Sequence, residues 1–395
     1  MDWSVRSVVK HLGVFALKYT GVLRVARRIS TSRGFLIIGW HGVSLEDEHD
    51  YFHTLFISPT QLERRLKFLS KVMSIVSLEE ALRQKESGSI APSQVVLTFD
   101  DGYYNYKQAA LPVLRQYNAA SVNYVVSARM LDGRSKPNLV LRDCVYRTLK
   151  QQLDVEELVA VQSRGEEKVS PLSLDGAKNR KKVEKFLLGR LEEIPESEQD
   201  CFVGRVGRVL DMDVDELHKR RFWTSMSPSE VHELVHSSDK VSIQLHSHQH
   251  KNSVELGGRL SEDLRQCRAA IEKASGKTAS DFCYPTGFWA KSTWPSLAEN
   301  KIRSAVTTRR GPNFVETHNY SLRRVMDGGA NSQLEFEFEV SGIKWLLNSC
   351  LTPSPELTQA RRQLGIEIVR SVINDMKEKE LSVKSCSPEI SGAVR

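Results

Sequence analysis

The chain alternates between short, wholly apolar runs and longer segments that carry one apolar face. The runs FLIIGW at 35–40 and VVLTF at 95–99 are typical of strands buried on both faces. The stretch after Ile57 has the helix-periodic pattern, with Ser58 as an N-cap and Pro59 at the first helical position. Strand and helix patterns then follow each other repeatedly, which predicts a parallel sheet or a β/α barrel.

This alternation is interrupted in the middle of the chain. Residues 141–221 are rich in charge, periodic as in helices and almost free of strand patterns, so we predict a helical insertion there. The barrel is then expected in two parts, at 33–140 and 222–345. Residues 346–395 are expected to form a C-terminal helix and a disordered tail.

Residues 1–32 are predicted to form one basic amphipathic helix, because apolar residues recur there every three or four positions. Residues 1–33 hold seven Lys and Arg against a single acid, Asp2. Lys18 interrupts the apolar stretch, which argues against a signal peptide, and no run is long enough for a spanning helix. Such a helix could lie on an anionic membrane surface or dock on its own domain. We therefore expect a cytoplasmic protein, peripherally bound to the inner membrane in the first case.

Composition adds two exclusions. The excess of 56 Lys and Arg over 49 Asp and Glu gives a net charge of +7, too mild to indicate a nucleic-acid partner. The six cysteines form no C-x-x-C pair, which argues against a cysteine-built zinc site and a dense disulfide framework. A reducing compartment is the simpler interpretation.

Acidic and imidazole side chains follow two of the predicted strands. Asp100 and Asp101 end the run VVLTFDD, at the strand edge where β/α folds place active sites. Adjacent strand residues point to opposite sides, so the two acids could take different roles, although Asp-Gly is also a common turn. His246 and His250 follow VSIQL in the segment HSHQH. Two imidazoles and a carboxylate form a common divalent-metal set, with Ser247 placed to support it.

A second histidine pair competes for this role. The segment HELVH, from His232 to His236, matches the zinc-protease pattern H-E-x-x-H. Asp239 stands where a metzincin needs Gly, and no His follows three residues later. A more distant third ligand, Glu255 or Glu262, keeps the protease open as an alternative.

The segments TFDDG, HSHQH and FCYPTG occur in this order, each at the end of a predicted strand. Together they resemble the first three motifs of the polysaccharide deacetylases, carbohydrate esterase family 4, with the NodB homology domain. The upstream WHGV and the helix after Phe56 resemble the exopolysaccharide-type branch. The likeness covers residues 34–130 and 222–330. It implies a distorted (β/α) barrel of the NodB homology type, here with a helical insertion.

The resemblance also implies roles for single residues. Asp101, His246 and His250 would hold one divalent metal ion, with zinc favoured, although cobalt, nickel and manganese bind similar sets. Asp100 would be the general base that takes a proton from water. The loop at Pro285–Thr286 would offer a backbone N–H to the oxyanion.

Two features depart from the family pattern. Cys283 stands near the place of the Arg that tethers the base in the family, so Arg323 and Arg324 are candidate substitutes. The family's last motif, an apolar strand with the general-acid His, is absent after Gly287. The first strand ends in His41, and first and last strands are neighbours in a closed barrel. We therefore assign His41 as the general acid, across the pocket from Asp100; a purely structural His is the alternative, and His318 is the next candidate.

We predict a metal-dependent deacetylase that removes N-acetyl groups from the sugars of a bacterial polysaccharide, oligosaccharide or lipid-linked precursor. The alternatives are an O-acetyl esterase on the same scaffold, a sugar-binding pseudoenzyme and the H-E-x-x-H protease. A mere binder has no need of a base beside a metal, so retention of both acids argues against the pseudoenzyme. The expected partner is an N-acetylated saccharide, with no nucleic acid.

Overall fold

The computed structural model describes residues 5–155, 158 and 170–351. The predicted C-terminal tail and part of the predicted insertion lie outside these residues. The strands are β1 Gly34–Trp40, β2 Gly42–Val43, β3 Phe56–Ile57, β4 Ser74–Ile75, β5 Gln94–Phe99, β6 Ser121–Val125, β7 Gln152–Leu153, β8 Leu172–Ser173, β9 Val241–Leu245, β10 Asp281–Cys283, β11 Ser304–Val306, β12 Asn313–Phe314 and β13 Val325–Met326.

Helices surround the strands. They are α1 Val5–Tyr19, α2 Val22–Ser30, α3 Glu48–Tyr51, α4 Pro59–Val72, α5 Leu78–Glu86, α6 Leu111–Gln116, α7 Ser127–Asp132, α8 Pro137–Arg147, α9 Gly176–Glu192, α10 Glu196–Val209, α11 Val214–Arg220, α12 Pro228–Ser237, α13 Ser253–Leu256, α14 Leu260–Ser275, α15 Trp294–Glu299, α16 Gln333–Val340 and α17 Ile343–Leu351.

The main sheet is parallel through six strands in the order β11, β10, β9, β6, β5 and β1. β13 pairs in parallel with β1. Just before β13, Leu322 forms a parallel bridge with Val306 on β11. The segment 322–326 therefore links the two edges of the sheet. The predicted distorted (β/α) barrel is confirmed, and its first and last strands are neighbours.

All residues of the neighbouring strands β1 and β5 are buried. Their register sets Leu36 beside Val95 and Ile38 beside Leu97. Strands of a parallel sheet are covered on both faces, which explains the uninterrupted apolar runs in the sequence. Ser58 caps α4 in a capping box with Gln61, as its position before Pro59 predicted.

Helices α8 to α11 occupy the region where a helical insertion was predicted, although α8 already begins at Pro137, before residue 141. They share an apolar core that also includes Phe56 of β3 and the loop residues Phe52, Tyr103 and Trp223. The helices are therefore packed firmly onto the barrel, and the domain boundaries drawn from the sequence stay a prediction.

The N-terminal region contains two helices where one was predicted. α1 and α2 are separated at Gly21, whose φ of 80° lies in the left-handed region. α2 docks on the domain by burying Leu23 and Ala26. Across the residues that the structure describes, no helix is long and apolar enough to cross a membrane.

Candidate active site

The carboxyl ends of the strands surround a pocket of about 680 Å³. Loops that follow β1, β5, β9, β10 and β11 all contribute to its lining. The predicted site residues on its surface are His41, Asp100, Asp101, His246, His250, Thr286 and Arg324. Residues more than 200 positions apart in the sequence are thus brought to one edge of the sheet.

Asp101, His246 and His250 face each other in this pocket. The Oδ1 atom of Asp101 lies 3.6 Å from Nε2 of His246 and 3.2 Å from Nε2 of His250. This oxygen is buried and accepts no hydrogen bond. A buried carboxylate oxygen without a donor, set against two ring nitrogens, fits a divalent cation.

The protonation of His246 suits a metal ligand. Its Nδ1 donates a hydrogen bond of 2.9 Å to the carbonyl of Cys283, which leaves the lone pair of Nε2 facing Asp101. Burial, together with His250, lowers the pKa of His246 to about 4, despite the nearby acids. The ring is therefore neutral at pH 7, as metal binding requires.

Asp100, His246 and Cys283 form a second close group of potential ligands among the described residues. This group is poorly suited to a cation. Arg324 donates to both oxygens of Asp100, at 2.8 and 2.9 Å. Burial raises the pKa of the Cys283 thiol well above its usual value, so the thiolate that a metal needs is disfavoured.

Arg324 holds the Asp100 carboxylate in a two-pronged ion pair. Both groups are almost fully buried, with side-chain exposures of 1% and 3%. Burial raises the pKa of Asp100, but Arg324 outweighs this effect and holds the pKa below its usual value. Of the two predicted substitutes for the missing Arg, Arg324 contacts Asp100, whereas Arg323 reaches the carbonyl of Pro312.

His41 lies in the pocket, but closer to Asp100 than expected. Its Nε2 is 4.0 Å from Oδ2 of Asp100. The two groups thus stand side by side, which leaves no room for an amide directly between these atoms. Burial lowers the pKa of His41, although Asp100 and Asp101 oppose this effect.

In the loop after β10, one of the two predicted residues is left as the donor candidate. Pro285 has no backbone N–H, so it cannot donate to an oxyanion, and Thr286 is the donor candidate of the pair. Thr286 has a φ of 61°, in the left-handed region that is rare for a residue with a Cβ. Asp101, Ser247 and His250 share this conformation, with φ of 72°, 68° and 58°. Backbone strain of this kind is concentrated at functional sites.

Ser247 and the histidines of HELVH do not join the pocket. The Ser247 hydroxyl is buried without a hydrogen-bond partner. His232 and His236 lie on the exposed side of α12, and Nδ1 of His236 bonds the carbonyl of His232. Within the ranges that the structure describes, no group of three potential ligands includes either of them.

Sequence reasoning missed Lys136. Its Nζ lies 3.1 Å from Oδ2 of Asp101, the oxygen that does not face the histidines. The lysine precedes α8 and is half-buried. No local pattern distinguishes it in the sequence, because the contact spans 35 positions and depends on how α8 packs.

The family model of the polysaccharide deacetylases matches residues 214–305. This segment contains HSHQH and FCYPTG, while TFDDG lies before it. No curated protein matches the chain.

Several solved deacetylase structures are similar in fold. IcaB from Ammonifex degensii is 15% identical, with a TM-score of 0.48 over 78% of this chain and 97% of that one. The Streptococcus pyogenes deacetylase PplD, in complex with acetate, is 14% identical, with a TM-score of 0.48 over 76% and 95%. The polysaccharide deacetylase BA0330 of Bacillus anthracis, described as putative, is 15% identical, with a TM-score of 0.49 over 78% and 69%.

The family match to residues 214–305 agrees with the motifs found in the sequence. The matched segment is thus similar to the polysaccharide deacetylases, as its motifs predicted.

Proposed function

We propose that the protein is a metal-dependent deacetylase that hydrolyses the N-acetyl group of an acetylated saccharide. The observation that best supports this proposal is that the two adjacent acids have different partners. Asp101 turns a free oxygen toward two histidines, while Asp100 is held beside them by Arg324. A metal set and an ionised carboxylate in one pocket are what water activation at an acetyl carbonyl requires.

Asp101, His246 and His250 would hold the ion, which would supply Lewis acidity at the acetyl carbonyl. Asp100 takes a proton from the attacking water. Its lowered pKa keeps it ionised at neutral pH, and Arg324 fixes the direction of its oxygens. The Thr286 N–H donates to the oxyanion that forms at the carbonyl.

His41 completes the reaction by donating a proton to the leaving nitrogen. Because burial lowers its pKa, the ring is mainly neutral at pH 7 and must first gain a proton. The nearest source is the Asp100 carboxyl, 4.0 Å away, once it has accepted the proton of water. Base and acid then act in sequence, and the proton passes from water to the amine.

We also propose that the N-terminal helices contact an anionic membrane surface from the cytoplasmic side. Leu12, Phe15 and Tyr19 are 64%, 50% and 72% exposed and lie on one stripe of α1. Arg24 and Arg28 are exposed on α2. Large apolar side chains beside basic ones are typical of helices that lie at a membrane interface.

The metal assignment predicts that only one of the two histidine pairs is needed for metal binding. His246→Ala should abolish stoichiometric metal binding, because it removes one of three ligands. His232→Ala, on the exposed face of α12, should leave the metal content unchanged. Elemental analysis of the purified proteins measures both, and the reverse pattern would favour the protease interpretation.

The role of Asp100 predicts loss of turnover without loss of metal. Asp100→Asn should slow deacetylation by about 10²–10⁴-fold, because the base is removed while the three ligands remain. The matched measurements are acetate release, metal content and the free energy of unfolding. Near-normal turnover in a folded, metal-loaded variant would remove Asp100 from the mechanism.

The role of His41 predicts a dependence on the leaving group. His41→Ala should slow N-deacetylation by about 10²–10⁴-fold, because an amine leaves only when protonated. Hydrolysis of an activated acetyl ester should suffer much less, since its alkoxide is less basic. Equal slowing of both substrates would exclude this role, and His318 would be tested next.

The membrane contact predicts salt-sensitive binding to anionic vesicles. Phe15→Ser should weaken partitioning about tenfold, because the ring no longer enters the interface. Leu149→Ser is the matched control, since Leu149 is 92% exposed and lies far from α1 in the sequence. Sedimentation with phosphatidylglycerol vesicles at low and high salt measures the effect, and equal binding to neutral vesicles would contradict the proposal.

A further inference from the structure

One wall of the active-site pocket comes from outside the strand-end loops. Helices α8, α9 and the start of α10 contribute Leu139, Arg142, Leu188, Leu191, Glu192 and Gln199 to its lining. These helices belong to the region predicted as an insertion from the sequence. The pocket is therefore bounded on one side by helices that lie outside the repeating strand–helix units of the barrel.

This wall is held firmly in place. Leu187 and Leu191 of α9 are buried in a core that also contains Phe52 and Tyr103 from the barrel mouth. Tyr103 follows the metal-site Asp101 by two residues, so the core of the wall reaches the site itself. Buried, closely packed side chains leave their helices little room to move, which distinguishes the wall from a mobile lid.

Polar contacts attach the same wall to the pocket. The Arg142 guanidinium lies 4.2 Å above the ring of Phe52, which also lines the pocket. Arg142 also pairs with Glu184 of α9 at 3.2 Å. At the start of α8, Lys136 contacts Asp101. The wall therefore contacts Asp101 of the proposed metal site through Lys136. Its helices α8 and α9 are joined to each other by the Arg142–Glu184 pair.

The size of the pocket limits what can enter. Its volume of about 680 Å³ lies within the range of about 300–1,000 Å³ that is usual for small-molecule sites. An internal residue of a long polymer needs a groove through which the chain leaves on both sides. The fixed helical wall bounds the pocket on one side of the proposed metal site.

We propose that the acetylated sugar in this pocket is the terminal residue of a saccharide and not an internal residue of a long polymer. This inference rests on the proposed deacetylase function. Leu188 and Leu191 would cover an apolar face of the sugar, while Arg142, Glu192 and Gln199 offer polar atoms to its hydroxyl groups. The second sugar residue of the saccharide would extend out of the open side of the pocket.

The test uses the metal-loaded full-length protein and N-acetylglucosamine oligomers of three and six residues, in β-1,4 and β-1,6 linkage, with the matching long polymers. Mass spectrometry locates the residue that loses its acetyl group. We expect deacetylation at one terminus, and a kcat/KM per molecule that is the same for trimer and hexamer. Deacetylation of internal residues, or a kcat/KM that rises with length, overturns the inference.

Variants of the wall separate binding from chemistry. Leu188→Ala should raise KM for the trimer about tenfold with little change in kcat, because it removes contacts made equally in ground and transition states. Leu149→Ala, at an exposed position, should change neither constant. An unchanged KM in Leu188→Ala overturns the inference.

Failure of the inference differs from failure of the proposed function. Acetate release from internal residues overturns the inference and leaves the deacetylase function intact. No acetate release from any saccharide by the metal-loaded protein overturns both.

Discussion

The buried ion pair between Arg324 and Asp100 is the interaction on which the site depends. Arg324 lies beside β13, which completes the barrel, and Asp100 ends β5 on the other side of β1. Removing one partner of a buried pair costs about 3–5 kcal/mol, because the other charge is left uncompensated. Closure of the barrel thus brings Arg324 to Asp100, and Arg324 keeps this proposed base ionised.

The approach of Arg324 across β1 depends on a small residue. A Cβ added at Gly39 would lie 2.6 Å from Sδ of Met326 and 3.3 Å from Nη1 of Arg324. Any side chain there would require the Met326 thioether to move and would press on the Arg324 guanidinium. Gly39 therefore leaves room for the Arg324 side chain beside β1.

Much of this arrangement could be predicted from the sequence, because strand ends in a parallel sheet meet at one edge. Asp100, Asp101, His246 and His250 were placed correctly at that edge by local patterns alone. The choice between Arg323 and Arg324 could not be made, since adjacent residues in an extended chain point to opposite sides and the register was unknown. The contact from Lys136 depends on helix packing and has no sequence pattern. Their chemical roles stay predictions.

One error had a signal in the sequence. The break at Gly21 follows from a glycine within the apolar periodicity, which permits the left-handed conformation that ends α1. The HELVH segment matches the zinc-protease pattern H-E-x-x-H literally, but its two histidine rings lie on the outer face of a helix. A pair at i and i+4 needs a third ligand from a neighbouring element.

Arg324 and Asp100 are separated by 224 positions in the sequence, and this separation has a consequence for synthesis. A chain leaving the ribosome presents Asp101, His246 and His250 well before Arg324. Contacts of such long range also form slowly, because a large loop must close first. Asp101, His246 and His250, the proposed metal ligands, are thus synthesised before the counterion of Asp100, the proposed base.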